Sequence, residues 1–502
     1  MFRTVRNVSR MIRIARTLAR HDALFPIEEL GFAPFAVWIA RRLSRGTVEG
    51  RPGERLAKAL EELGPSFIKL GQMLSTRPDL LGEQVAADLA SLQDHLPPFP
   101  SDQARKIVAN ELGVPLDTLF AQFEDEPVAA ASIAQVHFAV TTEGDEVAVK
   151  VLRPNIEAAF ARDLDLFYWI AGIVHRLRPD FRRLKPVEVV RTFAESVQLE
   201  MDLRMEAAAA SELGENFAGD PTFRVPRVDW QRTGRRVLTL ERIHGIPVDE
   251  HDALVAAGHN PTEILSHAAA SFFNQVFRDG FFHADQHPGN AFIDAAGTIV
   301  AVDFGIMGRL DHKTRIYLAD MLMGFLSRDY DAVADVHFRA GFVPQDKSRA
   351  AFSQALRAVA EPIFDKPLHE VSIARLLGLL FQITERFEME TQPQLLLLQK
   401  TMLVTEGVGR KLNPHENMWA LARPLIEDWM RLHRGPPARA LEAVRSLSET
   451  AERLPTILAN LEQGLERLAQ PAEPVRVERH TALWPVWVAI AMLAVAVFAL
   501  AI

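Results

Sequence analysis

Four side chains in the middle of the chain have the types and spacing needed to handle a metal-bound phosphate. Asp285 and Asn290 stand in Phe281-Phe282-His283-Ala284-Asp285-Gln286-His287-Pro288-Gly289-Asn290, and Asp303-Phe304-Gly305 follows Ile299-Val300-Ala301-Val302. A nucleoside triphosphate is handled as its Mg²⁺ complex, and Mg²⁺ takes hard oxygen ligands. Asp303 offers a carboxylate and Asn290 a carbonyl oxygen. Asp285 can accept a proton from, or orient, an attacking hydroxyl or water. The fourth is Lys150, the one charge in Val147-Ala148-Val149-Lys150-Val151-Leu152. A buried ammonium without a partner is costly, and a phosphate is one partner.

The elements that position these groups are readable nearby. Ser132 to Val140, a turn at Thr142-Glu143-Gly144-Asp145 and the run holding Lys150 predict strand, turn, strand. Ala291 to Ile293, a turn over Asp294 to Gly297, and Thr298 to Val302 predict a second hairpin that returns Asp303 beside Asn290. A strand lysine, then D-x-x-x-x-N, then D-F-G, in that chain order, matches protein kinases. Taken singly, each element has a plainer reading: a lysine on a half-exposed strand, and a strand end running into a turn. A kinase lysine pairs with a helical glutamate. Residues 186–217 read as helical and carry Glu195, Glu200, Asp202 and Glu206, any of which could be that acid or part of a solvated face. Val237 to Gly245 reads as a strand running into an inter-lobe hinge, where backbone near Glu241 to Ile243 could meet an adenine edge.

The chain has 502 residues, 48% hydrophobic and 24% charged, an ordinary globular composition at a length that holds several domains. Its 56 basic and 65 acidic residues leave a net charge of −9, against general nucleic-acid binding. It has no cysteine, so no disulfide, thiol nucleophile or iron–sulfur cluster is available. Arg3, Arg6, Arg10, Arg13, Arg16 and Arg20 recur at helical spacing with no acid before Asp22. This basic amphipathic helix suits an anionic membrane surface or the protein's own core, and such a start also resembles a transit peptide. At the other end, Leu483 to Ile502 has no charged or strongly polar residue. Its twenty residues reach ~30 Å as a helix, enough to span a bilayer core. Trp484 and Trp487 stand at the entry, and Arg476 and Arg479 before it would stay cytoplasmic.

Taken together, the motifs resemble the UbiB family of atypical protein-kinase-like proteins, relatives of the mitochondrial ADCK proteins. The resemblance covers about residues 25 to 425. Its hallmark K-x-G-Q appears as Lys69-Leu70-Gly71-Gln72 in an N-terminal extension, and its tail as Leu92-Gln93-Asp94-His95-Leu96-Pro97-Pro98. The alanine-rich nucleotide loop appears as Val128, Ala129, Ala130, Ala131, Ser132, Ile133, Ala134 and Gln135; the E-x-D element appears as Glu200-Met201-Asp202. Glu406 to Leu412 resembles the family's helical trailer. The resemblance implies that Glu206 partners Lys150, that Lys69, Gln72, Glu200 and Asp202 are regulatory, and that the extension covers the place of a protein substrate. It also implies ATP and Mg²⁺ as ligands and a requirement in ubiquinone (coenzyme Q) biosynthesis.

Two features set this site apart from an ordinary kinase. The nucleotide loop has no glycine, so backbone amides cannot approach phosphate as freely, and Ser132 could make the contact through its hydroxyl. No A-P-E motif or long activation segment follows Gly305. A small-molecule or lipid acceptor, or ATP hydrolysis driving a conformational change, fits this better than a peptide. Two rivals remain. His283-x-Asp285 with His312 or His337 would make an iron hydroxylase site, which leaves Lys150, Asn290 and D-F-G unexplained, and His283 with His287 could hold zinc on a helix, where Pro288 instead favours a loop. The family's older name, 2-polyprenylphenol hydroxylase, has no chemical support in this sequence. The fold could also act as an ATP-binding scaffold or lipid chaperone without phosphotransfer.

The expected fold is α+β, kinase-like and bilobal. Residues 1–24 form the basic helix, 25–120 the helical extension, 121–245 the N-lobe, 246–470 a mostly helical C-lobe, 471–482 a linker and 483–502 a transmembrane anchor. The expected setting is the inner (cytoplasmic) membrane, with the body on the cytoplasmic side. Expected partners are a membrane lipid or prenylated quinone precursor and other ubiquinone-biosynthesis enzymes, with no nucleic acid.

Overall fold

The computed structural model describes residues 2–25, 50–75, 82–89, 92, 96–177, 186–362 and 393–415, with 383, 384, 386–389, 424, 427, 429 and 431. The expected linker and transmembrane anchor lie outside the described residues. Among the described ones, no helix is long and apolar enough to cross a membrane.

The chain opens with α1 (Phe2–Arg20), α2 (Pro52–Leu63), α3 (Pro65–Ser75), α4 (Glu83–Leu89) and α5 (Ser101–Leu112). The strands β1 (Phe120–Phe123), β2 (Ala129–Ala130), β3 (Ala134–Thr141) and β4 (Glu146–Leu152) follow. Next come α6 (Ile156–Leu177), α7 (Pro186–Glu200), α8 (Leu203–Asn216), β5 (Phe223–Arg224), β6 (Val237–Glu241) and β7 (Ile246–Pro247). Then follow α9 (Pro261–Phe273), β8 (Phe281–His283), β9 (Ala291–Ile293), β10 (Ile299–Ala301) and β11 (Met307–Arg309). The described part closes with α10 (His312–Leu326), α11 (Tyr330–Ala340), α12 (Arg349–Ala360) and α13 (Pro393–Leu412).

The N-lobe sheet runs β1-β3-β4-β6, with β2 on β3. The β3–β4 hairpin pairs Ala134 with Leu152 and Val140 with Glu146, and Gly144 takes φ 99° in its turn. Alternation along β4 sets its two faces apart. Val147, Val149 and Val151 turn one way into a core with Val237, Ala104 and Val108, which leaves Lys150 on the opposite face, toward α8.

That opposite face meets the extension. Leu152 and Leu238 share a buried cluster with Leu56, Leu60, Phe67, Ile68, Phe160, Phe193, Leu203 and Ala207. Phe67 of α3 stands edge-on to Phe167 of α6, ring centroids 5.3 Å apart. Leu18, Ala19, Ala23 and Leu24, at the end of α1 and just beyond, belong to the same cluster. Arg6 pairs with Asp165, Arg10 with Asp163 and Arg20 with Glu62. So the end of α1 packs on the body's own core, and Arg6, Arg10 and Arg20 pair with its acids.

Residues 186–217 do not form one helix. Asp202 is extended (φ −120°) and caps α8, accepting from the Arg204 N–H. In the C-lobe, β8 pairs with β11 and β9 with β10. The segment after Gly305 passes through β11 and enters α10 at once.

Candidate functional site

Lys150 Nζ donates to Glu206 Oε1 and Oε2 at 2.8 and 3.0 Å and to Asp303 Oδ1 at 3.0 Å. One ammonium is thus shared by two carboxylates, one from each lobe. Burial alone would lower the lysine's pKa, but the charges of Asp303 and Glu206 outweigh it and hold it above its ordinary value. Burial pushes Glu206 up to about 7, because Lys150 only partly offsets the loss of water. Asp303 shifts the other way: Lys150 overcomes the effect of burial, and the charge of Lys69 adds to it. Glu206 sits in the first turn of α8, so the break at Asp202 separates it from Glu200 on α7.

Asp303 takes φ 60°, an uncommon left-handed backbone for a residue with a Cβ. Its turn is anchored on both sides. The Val302 N–H donates to the Asn290 carbonyl at 2.8 Å, and Phe304 is buried with Leu213, Phe281 and Ile299. The β9–β10 register, Ile293 opposite Ile299 and Ala291 opposite Ala301, brings the metal-binding candidates side by side.

Asn290 Nδ2 donates to the Asp285 carbonyl at 3.0 Å, which commits its nitrogen and leaves its carboxamide oxygen as a donor atom. With the Asp303 carboxylate, this oxygen makes a donor set that suits Mg²⁺. Asp285 is held by its own loop: His287 N–H donates to its carbonyl at 2.7 Å, and its N–H donates to His283 Nδ1 at 3.2 Å. Its carboxylate receives Lys400 Nζ of α13 at 2.8 Å. Lys400 was not anticipated, although it is the one charge between Pro393 and Thr405. The reasoning that singled out Lys150 applies to it equally.

The extension reaches this site through α3. Lys69 Nζ lies 2.9 Å from Glu200 Oε2, with side chains only 11% and 13% exposed. A Cβ at Gly71 would fall 2.5 Å from Leu92 Cδ1 and 2.8 Å from Leu60 Cδ1, so both leucine tips would have to shift. Gln72 is half-buried. Asp202 does not join Lys69; it caps α8 and pairs with the Arg204 guanidinium at 2.6 Å, which lowers its pKa.

The alanine-rich segment forms a tight hairpin, Ala129 opposite Val136 and Ala130 opposite Gln135, closed by the Ala131 N–H on Ala134 O at 2.8 Å. Val128 and Ala129 are exposed, and Ala130 and Ala131 half-exposed. Ser132, Ile133, Ala134 and Gln135 are buried. Gln135 accepts the Phe99 N–H at 3.0 Å and donates to Phe99 O at 3.2 Å. Arg153 donates to Ala131 O at 2.9 Å and to Pro97 O at 3.0 Å. These two side chains tie the loop to the tail of the K-x-G-Q segment, a role that their sequence context did not signal.

At the hinge, the Glu241 N–H is already bonded to Arg227 O at 2.9 Å, and its carboxylate pairs with Arg224 and Arg227. The adenine contact expected of Glu241 is therefore not available from its N–H. Ile243 is half-buried beyond the end of β6.

The histidine constellation does not assemble as an iron or zinc site. His283 is buried, accepts from the Asp285 N–H and has its other nitrogen 3.2 Å from Val302 O. Burial lowers its pKa, so it is a neutral brace for the loop. His287 Nδ1 accepts from the Gly289 N–H. His337 bonds Val333 O and packs against Phe352. Among the described residues no group of three histidines, aspartates or glutamates is gathered to hold a metal.

Known proteins agree with this architecture. Residues 91–337 match the ABC1 atypical kinase-like domain and residues 356–417 the UbiB helical domain. A Marinobacter nauticus protein named "Probable protein kinase UbiB" is 46% identical over 443 residues, covering 86% of this chain and 80% of that one. A Pseudomonas aeruginosa protein of the same name is 42% identical over 492 residues, covering 96% and 90%. Among solved structures, the Rv3197–erythromycin complex from Mycobacterium tuberculosis matches 73% of this chain and 93% of its own, with TM-score 0.53 and 26% identity.

Proposed function

The chain belongs to the ABC1/UbiB family of atypical kinase-like proteins, and from that premise we propose that it is a membrane-anchored ATP-dependent kinase or ATPase serving ubiquinone biosynthesis. The observation that carries this reading is the shared ammonium of Lys150, bonded to Glu206 from the N-lobe and to Asp303 from the C-lobe. Asp303 and Asn290 would hold Mg²⁺, which supplies charge neutralisation at the phosphates. Lys150 would meet the phosphates of ATP. Asp285 would orient the attacking hydroxyl or water and take its proton. The new oxygen–phosphorus bond forms as the bond to the bridging β-phosphate oxygen breaks, and ADP leaves.

The acceptor is read from what surrounds the site. The chain passes from Gly305 through β11 directly into α10, leaving little room for a peptide platform. The α3 extension is locked to α7 by Lys69 and Glu200. Both favour a small or lipid acceptor, such as a prenylated quinone precursor, or ATP hydrolysis coupled to movement of a lipid. A purely nucleotide-binding scaffold or lipid chaperone for other ubiquinone enzymes shares these features and differs only in turnover. The apolar segment Leu483 to Ile502 would anchor the body to the cytoplasmic face of the inner membrane. The test is ATP hydrolysis by the full chain in liposomes, wild type against Asp285→Asn. A drop of at least ~100-fold supports phosphoryl transfer through Asp285, in line with general-base catalysis. Equal rates would remove Asp285 from the mechanism.

A further inference from the structure

The catalytic loop supplies no cation of its own. Between Asp285 and Asn290 stand Gln286, His287, Pro288 and Gly289, and His287 Nδ1 is spent accepting the Gly289 N–H. Yet Asp285 must work next to the terminal phosphate, and two anions in a partly dry site repel each other. Lys150 is bonded to Glu206 and Asp303 rather than to Asp285. The charge that meets Asp285 comes from 115 residues away, from Lys400 at 2.8 Å.

The position of Lys400 is set by packing rather than by chance. On α13, Leu398 is buried with Phe282 and Ala284 on one side of it. Val408 and Leu412 are buried with Phe281 and Phe304 on the other. Thr401 and Thr405 are buried too, and the Thr405 hydroxyl lies 3.1 Å from Gln286 Oε1. The helix is therefore clamped along the catalytic loop and the D-F-G turn at once. Lys400 itself keeps 34% of its side chain open, as does Asp285. An ammonium whose side chain is one-third open to solvent can exchange one anion for another.

We propose that Lys400 is an active-site residue delivered by the helical domain: it holds Asp285 in the nucleotide-free protein and lies against the terminal phosphate once ATP is bound. The kinase-like domain is then incomplete without α13. The proposal rests on the nucleotide-site reading above and adds to it the source of the charge that faces the transferred phosphoryl group. A contact to the terminal phosphate makes a specific demand, because ADP lacks that group: Lys400 must matter for ATP and not for ADP.

The experiment uses the full chain in detergent or liposomes. Affinities for MgADP and for a non-hydrolysable Mg-ATP analogue are measured alongside the kcat and KM of ATP hydrolysis. The variants are Lys400→Gln, Lys400→Arg and Lys400→Gln in an Asp285→Asn background, each checked by thermal melting. In Lys400→Gln we expect the analogue to bind at least ~10-fold more weakly, as for a lost charge-assisted bond, with MgADP within about twofold and kcat reduced. Lys400→Arg should recover part of the loss. The preference for the analogue over ADP should fall in the Asp285→Asn background as well. An unchanged preference overturns the proposal, whatever happens to melting temperature, since Lys400 would then be a brace acting only through Asp285. A wild type that binds neither nucleotide overturns the nucleotide-site reading itself, and this inference with it.

Discussion

Replacing Lys150 with methionine isolates the charge of the shared ammonium. Methionine keeps most of the side chain's apolar stem, so β4 retains its packing, while three donor contacts at 2.8 to 3.0 Å are lost. Burial already raises the pKa of Glu206, so its carboxyl can take up a proton when the ammonium is lost. The cost should appear in nucleotide binding. One charge-assisted bond to phosphate is worth about 1.5–3 kcal/mol, which corresponds to a loss of affinity of roughly 10- to 150-fold. The assay is calorimetric titration of wild type, Lys150→Met and Lys150→Arg with MgADP at saturating Mg²⁺, each variant first shown to melt cooperatively. Lys150→Arg should fall between the other two, since it keeps the charge but not the geometry. A Lys150→Met protein that folds and binds MgADP within twofold of wild type would refute the phosphate role.

The remaining predictions concern the latch and the buried acid. Lys69→Met leaves Glu200 nearly buried without its cation, so it should cost about 1–3 kcal/mol of stability, and Glu200→Gln in the same chain should return part of it. Additive losses in chemical denaturation would show that the pair does not interact. Glu206 has a folded pKa near 7 against an ordinary 4.5, so between these values the folded state holds the extra proton and wild-type stability falls as pH rises. Glu206→Gln lacks this slope. Its melting temperature relative to wild type should therefore climb from about pH 5 to about pH 8 in nucleotide-free protein. A flat difference would mean that burial does not raise the pKa of Glu206.

The parts of the site that obey local rules were readable. Lys150 stood out as the one charge in the apolar run Val147 to Leu152, and the turn between Asn290 and Asp303 marked a hairpin that returns one beside the other. What was not readable depended on contacts distant in sequence. The helix over residues 186–217 breaks at Met201-Asp202, because Asp202 serves as a cap while the Leu203 N–H reaches Arg235 O. Nothing in the periodicity marks that break, so residues 186–217 read as one helical stretch. Gln135 and Arg153 fasten the second half of the alanine-rich loop to Phe99 and Pro97. Those partners lie in the extension, beyond the reach of any local pattern. The arginine spacing of α1 was readable, but the acids that Arg6, Arg10 and Arg20 meet, Asp165, Asp163 and Glu62, were not. Lys400 carried a signal of its own, a single charge in the run from Pro393 to Thr405. What its sequence context could not supply was the loop it would meet.

The central claim is that Asp303, beside Asn290 and Lys150, holds a metal-bound nucleotide. The most direct measurement is the affinity of the full chain for a non-hydrolysable ATP analogue, with and without Mg²⁺, in wild type and in Asp303→Asn. The account predicts that Mg²⁺ strengthens binding to wild type and that Asp303→Asn loses most of this gain, at least ~10-fold in affinity, as for the loss of a charged metal ligand. An Asp303→Asn protein that binds the Mg²⁺ complex as tightly as wild type does would contradict it.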